Sequence, residues 1–382
     1  MRLYTAFATE SFMNVLDLRW YTIRLSEIEQ RRQALAARLP ELKVDALLVS
    51  SAANVRYLSD YAGSNGLILI TRPEALFFTD PRYAIEASQK ITCKVQVVKG
   101  PLLAAVAAVL KRKRLKKIGF ESAWLRYEDY IKLKEALPLA AGLHPVGRIV
   151  ETQRMVKSPA EVARIRKSVA VNSEAYARTV KRAKVGLTER EIAAELDFQM
   201  QMLGAEKPAF ETIVAAGDRS ALPHAHPSAR RLANNELLLI DMGASVEGYA
   251  SDMTRVVHAG VPSKRVRDLY KAVLEAQLAA IDAVRAGVAT NRVDAAARAV
   301  LKRHKLDRAF VHSTGHGLGL EIHEPPRVAK TDKTKLQAGM AITIEPGAYI
   351  EGFGGVRIED TVLVTAHGCE VLTPTPKDLL NI

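Results

Sequence analysis

The chain has 382 residues, 48% of them hydrophobic, which is enough for about two domains with sizeable cores. Its two cysteines, Cys93 and Cys369, lie far apart in sequence, which argues against a disulfide framework and predicts a cytoplasmic location. The net charge of +13 is compatible with anionic partners, but no apolar run reaches the roughly 18 residues that a membrane span needs.

The first 150 residues alternate predicted helices and strands. Residues 1–25 form an extension whose pattern predicts no structure or function, and SEIEQRRQALAARLPEL then predicts an amphipathic helix. The apolar runs VDALLVS, GLILITR and EALFFTD are typical of buried strands. We therefore predict a small α/β domain over residues 26–150.

The densest basic cluster spans Lys111 to Lys117. It ends the predicted helix that contains LLAAVAAVL, where cations suit the negative end of the helix dipole. The cluster lacks interleaved aromatic residues and a recognisable nucleic-acid module. This pattern favours a solvated surface over a binding patch, so we expect neither a nucleic-acid nor a membrane partner.

A second domain is predicted over residues 151–382. Its first long helix has a clear start at Ser158-Pro159-Ala160-Glu161, a capping box with proline at the first helical position. A faint repeat follows, in which Gly186-Leu187 and the helix after it are echoed by Gly287-Val288 and a second helix. Two such units predict a pseudo-twofold α+β architecture around a central sheet.

Two aspartates flank a predicted hairpin in this domain. Asp241 ends the apolar strand ELLLI, and Asp252 lies in the following strand beyond the turn glycines Gly243 and Gly248. The hairpin would bring both carboxylates together, where a metal ion or a shared proton must offset their repulsion. The alternative is a pair of aspartates that cap turns.

Two glutamates extend this acidic set. Glu345 follows the strand MAITI, and Glu359 is predicted to lie inside a single apolar strand, VRIEDTVLV, with Arg357 on the same face. A carboxylate in such a strand is usually paired or bound to a ligand. The alternative is an Arg357–Glu359 ion pair on a solvated face.

Histidines lie in two segments near these acids. His312, His316 and His323 occur in the glycine-rich run HSTGHGLGLEIHE, while His224 and His226 occur in SALPHAHP. Neither cysteine has a neighbouring histidine that would recommend it as a nucleophile, and no nucleophile elbow of the G-x-S-x-G type is present. Clustered carboxylates with an imidazole are typical ligands of Mn²⁺, Co²⁺ or Zn²⁺, and carboxylates can bridge two ions about 3.5 Å apart.

The motifs together resemble those of the M24 "pita-bread" metallopeptidases, in the branch of Xaa-Pro aminopeptidases and Xaa-Pro dipeptidases (prolidases). The resemblance rests on SALPHAHP, LLLIDMGASVEGYASDMTR, HSTGHGLGLEIHE, AITIEPG and GGVRIEDTVLV, in that order. It implies a pita-bread catalytic domain behind a creatinase-type N-terminal domain, two divalent ions with Mn²⁺ as the first choice, and a homodimer. The metal ligands that it implies are Asp241, Asp252, His316, Glu345 and Glu359.

The resemblance also implies a mechanism. A hydroxide that bridges the metal ions attacks the scissile carbonyl, and Glu345 carries its proton to the prolyl nitrogen. His224 and His323 bind the substrate and the oxyanion, His312 lines the proline pocket, and Arg357 orients a ligand carboxylate. His226 is a second candidate beside His224.

Three alternatives stay open at this stage. The expected activity is removal of an N-terminal residue before proline, and a strict Xaa-Pro dipeptidase is the nearest rival. A metal-independent hydrolase of the creatinase type would lack a full ligand set. A catalytically silent binding protein would also fit the basic charge, but such proteins usually lose the ligands.

Overall fold

The N-terminal part of the computed structural model, which describes residues 25–382, is built on a six-stranded sheet. The predicted extension over residues 1–25 therefore lies outside the described residues, except for Leu25. The strands are β1 (Ala46–Val49), β2 (Gly66–Thr71), β3 (Ala75–Thr79), β4 (Lys94–Val97), β5 (Lys117–Glu121) and β6 (Gly142–Val146). Their order is β4-β3-β2-β1-β5-β6, and β1 pairs antiparallel with β2 and parallel with β5.

Helices cover both faces of this sheet. They are α1 (Glu27–Ala37), α2 (Ala52–Ser59), α3 (Ala84–Lys90), α4 (Leu102–Arg112), α5 (Tyr127–Ala136) and α6 (Ile149–Arg154), with a short 3₁₀ helix at Pro81–Tyr83. Leu47 packs with α1 and α2 on one face, and Leu48 packs with α4 and α5 on the other. Burial on both faces explains why the predicted strands are continuously apolar.

Helix α1 forms as predicted, but the expected apolar face is wrong. Its buried residues include Arg31 and Arg32, whose guanidinium groups donate to the carbonyl oxygens of Tyr57 and Leu58 at 3.0 Å each. These carbonyls belong to the last turn of α2, where backbone acceptors lack partners within the helix. The arginines are therefore buried because they satisfy the end of a neighbouring helix.

The C-terminal part begins at the predicted capping box. The Ser158 hydroxyl accepts from the Glu161 amide at 3.2 Å, and the Glu161 carboxylate accepts from the Ser158 amide at 3.0 Å. The helices that follow are α7 (Pro159–Val180), α8 (Glu189–Met202), α9 (Lys264–Asp282) and α10 (Thr290–Arg303). The predicted domain boundary at residues 150/151 falls within α6 and stays a prediction.

Fourteen short strands complete the described C-terminal part. They are β7 (Lys207–Pro208), β8 (Ile213–Ala216), β9 (Glu236–Met242), β10 (Ala244–Val246), β11 (Tyr249–Ala250), β12 (Met253–Ala259), β13 (Gly315–Gly317), β14 (Glu324–Val328), β15 (Ala341–Ile344), β16 (Gly347–Ile350), β17 (Gly354–Arg357), β18 (Asp360–Val364), β19 (Cys369–Val371) and β20 (Leu380–Asn381). The two larger sheets have the orders β20-β12-β9-β8 and β14-β13-β15-β18-β19, and a 3₁₀ helix covers Gly217–Ala221.

The faint sequence repeat corresponds to a repeat in structure. Helices α7 and α8 precede the first large sheet, and α9 and α10 precede the second. The loop before the second helix of each pair makes the same hydrogen bonds, which are Gly186 N to Leu232 O, Leu232 N to Leu187 O, Gly287 N to Leu336 O and Leu336 N to Val288 O. The predicted pseudo-twofold architecture is thereby confirmed.

The prediction of one continuous strand over VRIEDTVLV is wrong. Strand β17 pairs with β16, whereas β18 pairs with β15, and Ile358 and Glu359 lie between them outside regular strand. The chain changes pairing partner at this point, so Glu359 bonds across to the other large sheet, where its amide donates to Thr254 O at 3.2 Å. Within residues 25–382, no helix has both the length and the apolar character of a membrane span.

Candidate metal centre

The predicted hairpin of Asp241 and Asp252 is formed by β9 and β12. Asp241 is the penultimate residue of β9 and lies opposite Thr254, while Asp252 immediately precedes β12. Both aspartates are buried. Burial raises the pKa of Asp252 well above its usual range, and the neighbouring carboxylates of Asp241 and Glu345 raise it further. The strands thus hold like charges together in a poorly solvated place.

His316 projects from β13 toward these acids. Its Nε2 atom lies 3.4 Å from both Asp252 Oδ2 and Glu345 Oε1. Its Nδ1 atom lies 3.0 Å from Gly317 O, an acceptor, which places the ring proton on Nδ1. With Nδ1 bonded in this way, Nε2 is the ring nitrogen that faces the acidic cluster and is available to bind a metal.

The two glutamates complete the cluster from separate elements. Glu345 follows β15 and accepts from the Thr343 hydroxyl at 3.3 Å, while Glu359 accepts from the Thr254 hydroxyl at 2.8 Å. Burial raises the pKa of each glutamate. Asp252, His316 and Glu359 each offer a ligand atom within 4.8 Å of the other two, the separation expected around a single ion.

The oxygen atoms of Asp241 show that the cluster fits bound cations. Oδ2 accepts from Arg357, but Oδ1 is buried without a hydrogen-bond partner among the described residues. An unpaired buried carboxylate oxygen is costly unless a ligand satisfies it. Four carboxylates and an imidazole are the donors that divalent Mn²⁺, Co²⁺ or Zn²⁺ accept. The residues present therefore fit divalent metal ions.

Arg357 is buried behind the cluster. Its Nη2 atom donates to Asp241 Oδ2 at 2.5 Å, its Nε atom to the Thr254 hydroxyl at 3.0 Å and its Nη1 atom to the Tyr349 hydroxyl at 2.7 Å. The alternative of a solvated Arg357–Glu359 pair is wrong, because both side chains are buried and the guanidinium binds Asp241. Arg357 thus sets the orientation of the Asp241 carboxylate.

Tyr349 connects Arg357 to His312 and was not among the predicted site residues. Its hydroxyl accepts from Arg357, so it donates to His312 Nε2 at 2.8 Å, while His312 Nδ1 donates to Ser313 O at 2.8 Å. Burial lowers the pKa of His312 to about 4 and raises that of Tyr349 to about 12. The position of Tyr349, four residues after Glu345, is only a weak sequence signal of a role in the site, since a tyrosine there is equally compatible with packing in the core.

The other predicted histidines lie toward the solvent side. The ring centroid of His323 is 4.4 Å from that of His316, and desolvation, followed by His316 and His224, lowers the pKa of His323 to about 4. His224 is exposed and also lowers the pKa of His312, so it lies near both rings. His226 instead places Nδ1 at 3.1 Å from Glu211 Oε1 on the exposed surface.

Comparisons with known proteins agree with this arrangement. Residues 163–366 match metallopeptidase family M24, and residues 31–156 match the creatinase/prolidase N-terminal domain. The chain is 36% identical to the Xaa-Pro dipeptidase of Pyrococcus furiosus over 354 residues, which are 92% of this chain and 100% of the relative.

Solved structures show the same fold. The Xaa-Pro dipeptidase from Bacillus anthracis has a TM-score of 0.91 at 36% identity and covers 93% of this chain and 100% of its own. The X-Pro aminopeptidase from Thermotoga maritima MSB8 has a TM-score of 0.85 at 35% identity and covers 90% of this chain and 100% of its own. The resemblance in motifs and the predicted fold are confirmed, and the chain is a metallopeptidase that belongs to family M24, with a creatinase/prolidase N-terminal domain before its pita-bread catalytic domain.

Proposed function

We propose that this metallopeptidase hydrolyses the Xaa-Pro bond at the N-terminus of peptides with two divalent metal ions. The observation that carries the proposal is a buried cluster of ligand groups. His316 Nε2 lies 3.4 Å from carboxylate oxygens of Asp252 and Glu345, and Glu359 offers an oxygen within 4.8 Å of ligand atoms of Asp252 and His316. Asp241 adds a buried Oδ1 atom that has no hydrogen-bond partner among the described residues. The names of the relatives, Xaa-Pro dipeptidase and X-Pro aminopeptidase, support the choice of bond.

These five side chains would hold the metal pair, with Mn²⁺ as the first choice and Co²⁺ or Zn²⁺ as alternatives. When bound, the ions supply Lewis acidity at the scissile carbonyl and increase the acidity of a water molecule. The carboxylates balance the positive charge, and Arg357 keeps Asp241 in a single orientation through its 2.5 Å contact.

Glu345 is the proposed proton carrier. A carboxylate at this largely buried position can accept a proton and release it again. The proton would pass to the prolyl nitrogen, which must be protonated to leave. Because an Xaa-Pro bond is a tertiary amide without an N–H, recognition cannot depend on that donor.

The histidines would bind the substrate. Desolvation lowers the pKa of His323 to about 4, and its neutral ring keeps one N–H donor for the substrate or a developing oxyanion. The neighbouring His224 is proposed to bind the substrate beside it. His312, also neutral and held by Tyr349, would line the proline pocket with its ring.

The choice between two peptidase activities calls for a paired assay. The first choice is an aminopeptidase, which accepts longer peptides and has the name of one relative in its support. The relatives named Xaa-Pro dipeptidase support a second candidate, a strict dipeptidase. Hydrolysis of Ala-Pro and of Ala-Pro-Ala is measured after chelation and after Mn²⁺ is added back. We expect chelation to abolish activity and added Mn²⁺ to restore it. Cleavage of Ala-Pro but not of Ala-Pro-Ala would favour the dipeptidase.

Two outcomes would contradict the proposal. Full activity of a protein shown to be metal-free would exclude the metal pair, and equal cleavage of Ala-Ala and Ala-Pro would exclude proline specificity. A homodimer stays a prediction, which light scattering of the purified protein checks.

A further inference from the structure

A buried carboxylate lies behind the turn that joins His316 to His323. Glu324 begins β14, and its Oε1 atom accepts from the Glu321 amide at 3.1 Å. A Cβ atom at Gly319 would lie 2.8 Å from the same oxygen, so the turn closes tightly on the carboxylate. Gly319 O also accepts from the Ala250 amide at 2.7 Å, which ties the turn to the hairpin of Asp252.

Two buried cations, one at the end of α6 and one just after it, hold Glu324. Arg154, the last residue of α6, donates to Oε1, and Lys157 Nζ donates to Oε2 at 2.9 Å. Arg154 Nη2 also lies 2.9 Å from Glu321 Oε2, and Arg154 is only 1% exposed. The guanidinium therefore contacts both ends of the Glu321–Glu324 segment.

The same guanidinium is anchored in the N-terminal sheet domain. Its Nη1 atom donates to Asn54 Oδ1 at 2.6 Å, and Asn54 Nδ2 donates to Glu121 at 2.6 Å and to Glu151 at 3.1 Å. Glu121 in turn accepts from the amides of Ser50 and Ser51 at the start of α2. A continuous network of buried polar groups thus runs from one domain to the turn in the other.

The turn also makes backbone bonds of its own, since the Leu318 amide donates to Ala341 O at 3.2 Å and the Gly319 amide donates to Glu321 O at 3.0 Å. It is rich in glycine, and a β-bulge between His316 and Gly317 interrupts its pairing with β14. Glycine leaves the backbone free to adopt other conformations unless neighbouring groups restrict it. A buried ion cluster is in general a poor source of stability, but it is specific about geometry.

We propose that Arg154 is a positioning residue, which holds Glu324 from the N-terminal domain and thereby fixes the turn that sets His316 against His323. The roles of those two histidines rest on the function proposed above, whereas the conformation of the turn does not. Groups that orient metal ligands typically change metal affinity or activity 10- to 100-fold when removed.

The test compares Arg154→Met with the matched variant Arg31→Met. Arg31 is also buried and joins the two domains, because it donates to Tyr57 O at 3.0 Å and lies 3.1 Å from Glu161 Oε2, but it does not contact the turn. The readouts are hydrogen exchange over residues 314–328, Mn²⁺ affinity by calorimetry, and kcat and KM for an Xaa-Pro peptide.

For Arg154→Met we expect faster exchange over residues 314–328, Mn²⁺ affinity reduced about 10- to 100-fold, and a kcat that falls more than KM changes. Arg31→Met should keep Mn²⁺ affinity and kcat within about twofold of the parent protein, since the groups that Arg31 contacts across the chain lie on α2 and α7. Arg154→Lys retains a cation without the fork of donors, and should shift the same readouts less in the same direction. If Arg154→Met does not fold, Arg154→Lys tests whether Arg154 positions the turn.

The proposal is overturned if both Arg154 variants match Arg31→Met in their hydrogen exchange over residues 314–328 and in their Mn²⁺ affinity. If the parent protein binds Mn²⁺ but cleaves no Xaa-Pro bond, the proposed function fails, and exchange with Mn²⁺ affinity still decides the role of Arg154. If the parent protein binds no metal, hydrogen exchange over residues 314–328 by itself decides whether Arg154 positions the turn.

Discussion

At the scale of single residues, the site depends on side chains that divide their contacts between two neighbours. Asp241 accepts from Arg357 with Oδ2, whereas its Oδ1 atom has no hydrogen-bond partner within residues 25–382. His316 donates from Nδ1 to Gly317 O and turns Nε2 toward the acidic side chains. In both cases one atom fixes the orientation and the other faces the metal centre. Tyr349 acts in the same way, because it accepts from Arg357 and donates to His312.

Tyr349→Phe tests this last connection. The substitution removes only the hydroxyl, so Arg357 and His312 each lose a buried partner, and His312 is held only by the bond from Nδ1 to Ser313 O. We expect kcat for an Xaa-Pro peptide to fall about 10-fold, which corresponds to a loss of about 1.4 kcal/mol and lies within the usual cost of an unsatisfied buried group.

The matched control for this prediction is Tyr61→Phe in the N-terminal domain. Its hydroxyl is buried and lies 3.2 Å from both Asn65 O and Thr79 Oγ1, far from the metal centre. The control should lose about 1 kcal/mol of unfolding free energy and keep its kcat. Equal kcat values for the two variants would contradict the role of Tyr349.

At the scale of elements, close approach of strands positions the ligands. Strand β13 carries His316 and pairs antiparallel with β15, and Glu345 is the residue that follows β15. An added Cβ atom at Gly315 would lie 1.9 Å from Thr343 O, a backbone atom that cannot move aside as a side chain does. The distance between His316 and Glu345 therefore depends on the absence of a side chain at Gly315.

Gly315→Ala should force β13 away from β15. We expect it to lower the free energy of unfolding by about 1–3 kcal/mol, the usual cost of overpacking, and to weaken Mn²⁺ binding at least 10-fold. Denaturant unfolding and calorimetry measure the two effects. Gly147→Ala is the control, because an added Cβ there meets nothing within 4 Å. Unchanged Mn²⁺ affinity in Gly315→Ala would count against this account of strand spacing.

At the scale of the whole molecule, the metal centre joins the two pseudo-symmetric halves. Asp241 and Asp252 come from the hairpin of β9 and β12, whereas His316, Glu345 and Glu359 come from the later half. The N-terminal domain contacts the turn beside this centre, because Arg154 at the end of α6 donates to Glu324. Burial opposes the ionisation of Glu324, but Lys157 and then Arg154 outweigh it and lower its pKa to about 2.

This pKa makes a pH-dependent contribution to stability. Because the folded-state pKa lies below the ordinary value of 4.5, the contribution of Glu324 is complete above about pH 4.5 and is lost as pH falls toward 2. Each pKa unit corresponds to about 1.4 kcal/mol, so the loss is on the order of 3 kcal/mol. Glu324→Gln should therefore be much less stable than the parent protein at pH 7, and the difference should shrink as pH falls toward 2.

Urea unfolding of both proteins between pH 2 and pH 7 measures this difference. Glu370→Gln is the control, since Glu370 forms an exposed ion pair with Arg166 and should change stability by no more than about 1 kcal/mol. A gap between Glu324→Gln and the parent protein that stays constant over the whole range would show that the Glu324 charge contributes nothing.

The features that could be predicted from the sequence are those with a local or a family signature. Apolar runs predicted β1 to β3, and Ser158 with Glu161 predicted the start of α7, because strand burial and helix capping depend on residues close in the chain. The family motifs carried the pita-bread fold and the metallopeptidase activity. The ligand roles of the five residues stay predictions, which the geometry of the cluster supports.

Only the tertiary structure decided which distant side chains meet. Arg357 binds Asp241 across 116 positions and Arg154 binds Glu324 across 170, and neither pair leaves a periodic or spacing signal. The break at Ile358 and Glu359 was missed because alternation of apolar and polar residues does not reveal a change of strand partner. The sequence by itself thus determined the local elements and the chemistry available, whereas long-range packing selected the contacts that orient the site.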